Sequence, residues 1–236
     1  MAHTILSQAR KLSRECVFTR KSQGPDPSNV VALRGPDQGV PNSLNGKVPP
    51  RRIPNKQRRT REYLTEREVD GLIDAARKAG RYGHRDATLI LLAYRHGLRV
   101  AELVALRWDQ IDLSQGLLHV ARVKHGTPST HPVRGPEIRA LRRLQRAYAG
   151  PYVFMTERQG PLTTSTVRKI IARAGELACL GFPVHPHMLR HACGFKLAND
   201  GHDTRAIQHY LGHRCITHTT RYTDLAADRF NGFWKD

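Results

Sequence analysis

Around residue 63 the chain changes character, and that change limits how much of it can fold. Upstream, Pro25, Pro27, Pro36, Pro41, Pro49, Pro50 and Pro54 alternate with Gly24, Gly35, Gly39 and Gly46. Nothing there keeps a sustained helical or strand period, apart from a weak helical pattern near residues 4–18. Proline removes backbone donors and glycine adds chain entropy, so such a segment buries too little apolar surface to order itself. Residues 1–62 are therefore expected to be a disordered arm, leaving residues 63–236 to build one folded domain.

The folded part begins with a recognisable start signal. Thr65 and Glu68 have the spacing of a capping box, and Leu64 and Val69 flank it as a hydrophobic staple. Val69, Leu72, Ile73 and Ala76 then recur on one helical face. A second, strongly apolar helix is expected over Asp86–His96, stopped by Gly97, and a short third over Val100–Leu106. From Leu117 to Val123 the pattern becomes strand-like. Gly126, Pro128 and Ser129 supply a turn, and Thr130–Val133 can return as a partner strand. Helical patterns resume over Pro136–Ala147, Thr164–Leu177, Pro186–Asn199 and Thr204–Leu211, with Gly201 and Gly212 at two of the ends and Asp203 as an N-cap. A final helix is expected after Asp224. The fold class is mainly α with a small antiparallel β-sheet, that is, α+β.

Charge narrows the partner. Lys and Arg number 39 against 20 Asp and Glu, a formal net charge of +19. Such an excess suits a polyanion, nucleic acid before an acidic membrane surface, although a merely solubilising basic surface has the same composition. Arg51, Arg52, Lys56, Arg58, Arg59 and Arg61 crowd the end of the arm, where they read either as a solvated charge run or as a strip lying along DNA phosphates. No apolar run approaches the roughly 18 residues that span a bilayer, and the first residues show no secretory pattern. Cys16, Cys179, Cys193 and Cys215 form no C-x-x-C pair, which suits reduced thiols in the cytoplasm.

Within this basic chain a set of chemically capable residues recurs. Arg99 and Glu102 are three apart, so on a helix a carboxylate could hold a guanidinium in one orientation; the ordinary alternative is a surface ion pair contributing about 0–1 kcal/mol. His187 and Arg190 share the same spacing. An arginine can grip two phosphate oxygens through parallel donors, and imidazole exchanges protons near neutrality. His185, His187 and His191 could instead be a metal cluster, but they lack the paired spacing with an interposed glutamate that marks a zinc hydrolase. His213 follows Leu211-Gly212, and Tyr222 stands nine residues later. A phenol attacks only if its proton is removed or its anion stabilised, which neighbouring cations would do. Lys124, at the end of the first long strand, could protonate a leaving oxygen or be simply exposed.

Taken together, Gly-Leu-Arg99-Val-Ala-Glu102-Leu, His187-x-x-Arg190-His, Leu-Gly-His213 and the later Tyr222, in this order and with Lys124 on a hairpin, resemble the catalytic domain of the tyrosine recombinases, or phage integrases. The resemblance runs from about residue 64 to the end. From His185 to Trp234 the chain is most similar to the small recombinases that invert fimbrial promoter elements in bacteria.

The resemblance implies a site-specific recombinase acting by integration, excision or inversion. Tyr222 would attack a DNA phosphorus, form a 3′-phosphotyrosyl bond and release a 5′-hydroxyl. Arg99, Arg190 and His213 would brace the non-bridging oxygens, His187 would assist proton transfer at the nucleophile, Lys124 would protonate the leaving oxygen, and Glu102 would support Arg99. No ATP, metal or other cofactor is implied. The partners implied are double-stranded DNA, further copies forming a homotetramer on two sites, and an accessory DNA-bending protein. Phe230, Phe233 and Trp234 would suit docking between copies. The implied setting is the bacterial nucleoid. Typical members carry a core-binding domain that clamps DNA, and residues 1–62 are too short and too rich in Pro and Gly to be one. That gap keeps open a non-catalytic DNA-binding regulator as the rival reading.

Overall fold

The computed structural model describes residues 61–123 and 126–224. The expected arm with Arg51, Arg52, Lys56, Arg58 and Arg59, the hairpin residue Lys124, the helix after Asp224, and Phe230, Phe233 and Trp234 lie outside the described residues.

Helix α1, Glu66–Lys78, starts as its capping residues require: Thr65 N–H donates to Glu68 at 2.7 Å, and Glu68 N–H donates to the Thr65 hydroxyl at 3.4 Å. Its stripe of Val69, Leu72, Ile73 and Ala76 is buried against α2, Gly83–Arg95, and α5, Thr164–Leu177. Helix α2 begins three residues before its expected start. Gly97, in the left-handed region at φ 56°, turns the chain from it into α3, Val100–Val104.

A three-stranded antiparallel sheet follows, in the order β1 (Ile111–Asp112), β2 (Leu117–Val120) and β3 (Ser129–Pro132). Leu117 pairs with Pro132 and Val120 with Ser129. The pairing of β2 therefore ends three residues before the expected Val123, because Arg122 leaves the ladder and turns inward to Glu102. Strand β1 was absent from the sequence reading. It is set by Asp112, whose carboxylate accepts the N–H groups of Ser114 and Gln115 and tightens the turn into β2.

The remaining helices are α4 (Gly135–Ala147), α5, α6 (Pro186–Asn199), α7 (Thr204–Leu211) and α8 (Thr217–Thr223). The bounds expected for α5, α6 and α7 are the observed ones. Helix α8 was missed, because its Thr-His-Thr-Thr-Arg-Tyr-Thr run has no apolar period to betray it.

Helix α6 organises everything that follows. Met188 to Phe195 are all buried, an unbroken run that puts every face of the helix in contact with protein. On one side lies the main core, including Leu89, Leu92, Leu103, Val167 and Ile171; on the other lies a smaller cluster of Cys193, Phe195, Ile207, Leu211 and Tyr222 from α6, α7 and α8. Arg190 and His191 are polar residues inside that run, so each must find partners there. Among the described residues, no helix is long and apolar enough to cross a membrane.

Candidate active site

Arg190 projects from the middle of α6 and is 2% exposed. Its guanidinium donates to the carbonyl of Gly97, at the turn after α2, and at 2.6 Å to the carbonyl of Leu211, at the end of α7. Two orphan carbonyls at helix ends thus fix one fork. Burial, with Arg99 and Arg122 nearby, pulls the guanidinium down to about 10, still well charged at neutral pH.

Arg99 caps the start of α3, and Glu102 lies one turn on. Glu102 accepts the Arg99 backbone N–H at 3.0 Å and its guanidinium at 3.0 Å. The carboxylate is buried, so the pair is not the ordinary surface contact. Burial pushes Glu102 up, but the Arg99 N–H and the Arg122 and Arg99 guanidiniums outweigh it and hold the carboxyl below its ordinary range. Arg122, unforeseen from sequence, donates to the second oxygen of Glu102 at 2.9 Å.

Arg99, His187 and Arg190 meet at one cavity of about 530 Å³, whose wall also contains Val123, Thr164 and Arg168. His187 is exposed and stands edge-on to His191, with ring centres 4.3 Å apart. The spacing of three that joined His187 to Arg190 thus places both on the cavity side of α6.

Tyr222 is seated on the adjoining face of that helix, against His191, Gly194 and Phe195. It is 2% exposed, its ring stands edge-on to Phe195 at 5.1 Å, and its hydroxyl meets His191 Nδ1 at 2.9 Å. The expectation that nearby cations would acidify the phenol is corrected here. Burial outweighs Arg190 and Arg221 and pushes it up to about 12. His191 is driven the other way, to about 3, by burial and by His187, Arg221 and Arg190, so its ring is neutral and can accept a hydrogen bond from the phenol. In the resting chain the imidazole at the phenol is His191, while His187 lines the cavity.

His213 lies beyond the end of α7, parallel to the Tyr222 ring at 6.2 Å, and meets the Thr219 hydroxyl at 2.9 Å. Burial and the field of Arg190 and Arg99 lower it to about 3, which leaves it neutral. Neither Tyr222 nor His213 belongs to the cavity wall. The structure therefore brings Arg99, His187 and Arg190 together at the cavity with Glu102 holding Arg99, and sets His213 and Tyr222 beside each other just outside its wall, within the field of Arg190. Arg61 donates to Glu68 at 2.6 Å and lies over Tyr63 and Phe182, so it is folded onto the domain.

The seat of Tyr222 depends on Gly194. A Cβ there would stand 2.7 Å from the tyrosine ring, closer than carbon atoms tolerate. Gly194→Ala is expected to lower stability by about 1–3 kcal/mol through overpacking, measured by thermal melting. The same substitution in a Tyr222→Ala background should cost much less, because the clash has lost its partner. Equal losses in both backgrounds would sink this account.

Among the described residues, no three His, Cys, Asp or Glu side chains converge in a way that could hold a metal ion. His191, one member of the candidate histidine cluster, is engaged by the phenol instead.

The family model described as the phage integrase family matches residues 62–229. The type 1 fimbriae regulatory protein FimE of Escherichia coli K12 is 43% identical over 182 residues, covering 74% of this chain and 91% of FimE. Tyrosine recombinase XerD of Ralstonia nicotianae is 35% identical over 179 residues, covering 72% of this chain and 58% of XerD. In three dimensions the chain is similar to XerA recombinase, with a TM-score of 0.63 at 28% identity, covering 71% of this chain and 62% of XerA. Lambda integrase, solved as a dimer bound to a core site, shares the fold with a TM-score of 0.58 at 23% identity. The chain thus spans nearly all of FimE but less than two thirds of XerD and XerA.

Proposed function

This chain belongs to the phage integrase family, and from that membership we propose that it breaks and rejoins double-stranded DNA at specific sites through a tyrosine-linked intermediate. One observation carries the reading. Two guanidiniums, one fixed by helix-end carbonyls and the other by a buried carboxylate, share a cavity, and a buried phenol is seated on the same helix at His191 and Gly194.

The parts divide the work as follows. Arg99 and Arg190 hold the non-bridging oxygens of the scissile phosphate, and His213 in neutral form donates a hydrogen bond there. Preorganised donors of this kind are typically worth about 10²–10³ in rate each. The Tyr222 oxygen bonds to phosphorus as the bond to the 5′-oxygen breaks. The phenolic proton passes to an imidazole; His191 meets the hydroxyl in the resting chain and His187 stands at the cavity. Lys124 gives a proton to the departing 5′-oxygen. The phosphotyrosyl bond keeps the energy of the phosphodiester, so a 5′-hydroxyl of the partner strand can reverse the step with no external energy source. Glu102 orients Arg99. Tyr222 must leave its seat on α6 before attack, which ties cleavage to a rearrangement that DNA or a neighbouring copy would trigger.

The arm residues Arg51, Arg52, Lys56, Arg58 and Arg59 supply phosphate contacts that a clamp domain would otherwise make. Two sites held by four copies, aided by a protein that bends DNA, form the working assembly. The arrangement of those sites decides between integration, excision and inversion.

The test is a nicked duplex built from the DNA around the gene, on which cleavage strands the protein. A denaturant-resistant protein–DNA adduct is expected from the native chain, undiminished by excess chelator, and none from Tyr222→Phe. An adduct in Tyr222→Phe would refute the assigned nucleophile. A second reading, a DNA-binding regulator that never cuts, draws on the buried phenol. It predicts salt-dependent binding without adduct, and recombined product from a plasmid carrying the native sites would eliminate it.

A further inference from the structure

Arg122 is a buried charge that the proposed chemistry leaves unused. Its side chain is 0% exposed, so it cannot touch DNA. One nitrogen donates to Glu102 at 2.9 Å, and another donates to the Tyr210 carbonyl near the end of α7. Nε has no hydrogen-bond partner among the described residues, and Gly212 packs so closely that a Cβ there would stand 2.8 Å from Arg122 Cγ and Nε. On the other flank, a Cβ at Gly126 would stand 2.8 Å from Arg122 Cβ. The group is held rigidly at Glu102 Oε2, while the Arg99 guanidinium takes Oε1.

Glu102 poses an electrostatic problem for phosphate binding. A carboxylate paired with Arg99 alone orients the guanidinium but also cancels its charge. The positive potential offered to a phosphate would then rest on Arg190. With Arg122 on the second carboxylate oxygen, Glu102 is neutralised. Three guanidiniums against one carboxylate leave a surplus of two positive charges around the cavity. A singly charged phosphodiester becomes doubly charged as it turns pentacoordinate, so that surplus matches the transition state better than the ground state. In a water-poor interior a fixed charge acts over several ångströms without contact.

We propose that Arg122 is a positioning residue that acts as a counter-charge: it neutralises Glu102 so that Arg99 keeps its full charge for the scissile phosphate. This rests on the recombinase reading above. It goes beyond that reading by assigning a catalytic consequence to a residue that never meets substrate.

The experiment compares single-turnover adduct formation on two nicked duplexes, one ordinary and one with a methylphosphonate at the scissile position, which carries one negative charge fewer. On the ordinary substrate Arg122→Met should be slower by about 10- to 100-fold, less than removal of a direct donor costs, while Arg122→Lys should stay within a few-fold of native. On the methylphosphonate the Arg122→Met deficit should shrink severalfold. Adding Glu102→Gln to Arg122→Met restores the charge surplus and should recover part of the rate. Equal deficits for Met and Lys on both substrates would show a mere structural cross-link and overturn the proposal, as would native speed in Arg122→Met. If Arg122→Met fails to fold, Arg122→Lys decides: near-native rate supports the proposal, and a deficit equal on both substrates overturns it. Absence of adduct from the native chain on either duplex would instead sink the recombinase reading itself.

Discussion

Arg190→Gln is expected to abolish measurable cleavage and to destabilise the domain at once. The guanidinium is 2% exposed and satisfies the carbonyls of Gly97 and Leu211. Glutamine is shorter and neutral, and its single amide cannot reach both. Each buried carbonyl left without a donor costs about 1–3 kcal/mol. Those two carbonyls end α2 and α7, so the loss loosens the turn that carries Arg99 and the segment that carries His213. Loss of one phosphate donor alone would lower the rate by about 10²–10³, and misplacement of its neighbours adds to that. Arg190→Lys separates the effects. It keeps the charge but cannot span two carbonyls, so part of the stability should return while the rate stays low. Denaturant unfolding and single-turnover cleavage on the same variants check this, and native cleavage by Arg190→Lys would contradict it.

Acid should unfold the domain early. His131, His191 and His213 are each held down to about 3, in every case chiefly by burial, against an ordinary value of 6.5. His131 is fully buried, stacked on Tyr210 at 3.8 Å and 3.2 Å from His96. The sign follows from which state takes the proton. Below pH 6.5 the unfolded chain binds protons that the folded chain refuses, so stability is complete above that pH and is withdrawn as pH falls toward 3. Each such histidine removes about 1.4 kcal/mol per pH unit across that window. The urea midpoint should therefore fall steeply between pH 6.5 and 4.5, and His131→Gln should flatten that slope by about one proton. A midpoint constant over this range would contradict the burial of neutral imidazoles. At the alkaline end Tyr222, pushed up to about 12, favours the fold below pH 10 and withdraws support above it.

Local signals in the sequence carried unevenly into the structure, for physical reasons. The capping box at Thr65 and Glu68 and the limits of α5, α6 and α7 were legible because caps and glycine stops act within a few residues. The pairing of Arg99 with Glu102 was legible for the same reason. Arg122 was invisible because its partners come from 20 and 88 positions away, and nothing near it in the chain marks it as buried. His191 was readable in principle: it follows Arg190 directly, so on a helix buried all round it had to face a neighbouring element a quarter-turn away. The acidity of Tyr222 was misjudged because charge is written in the sequence but desolvation is not.

The hydroxyl of Tyr222 rests buried against α6 at His191 rather than in the open cavity. On the recombinase reading, this burial works as a safety catch. A basic protein that wanders along a chromosome passes countless phosphodiesters, and a permanently presented nucleophile would scar many of them. With the reactive atom buried against α6, a single molecule can search the genome without leaving breaks, and the capacity to cut arises only where the correct site draws the phenol out.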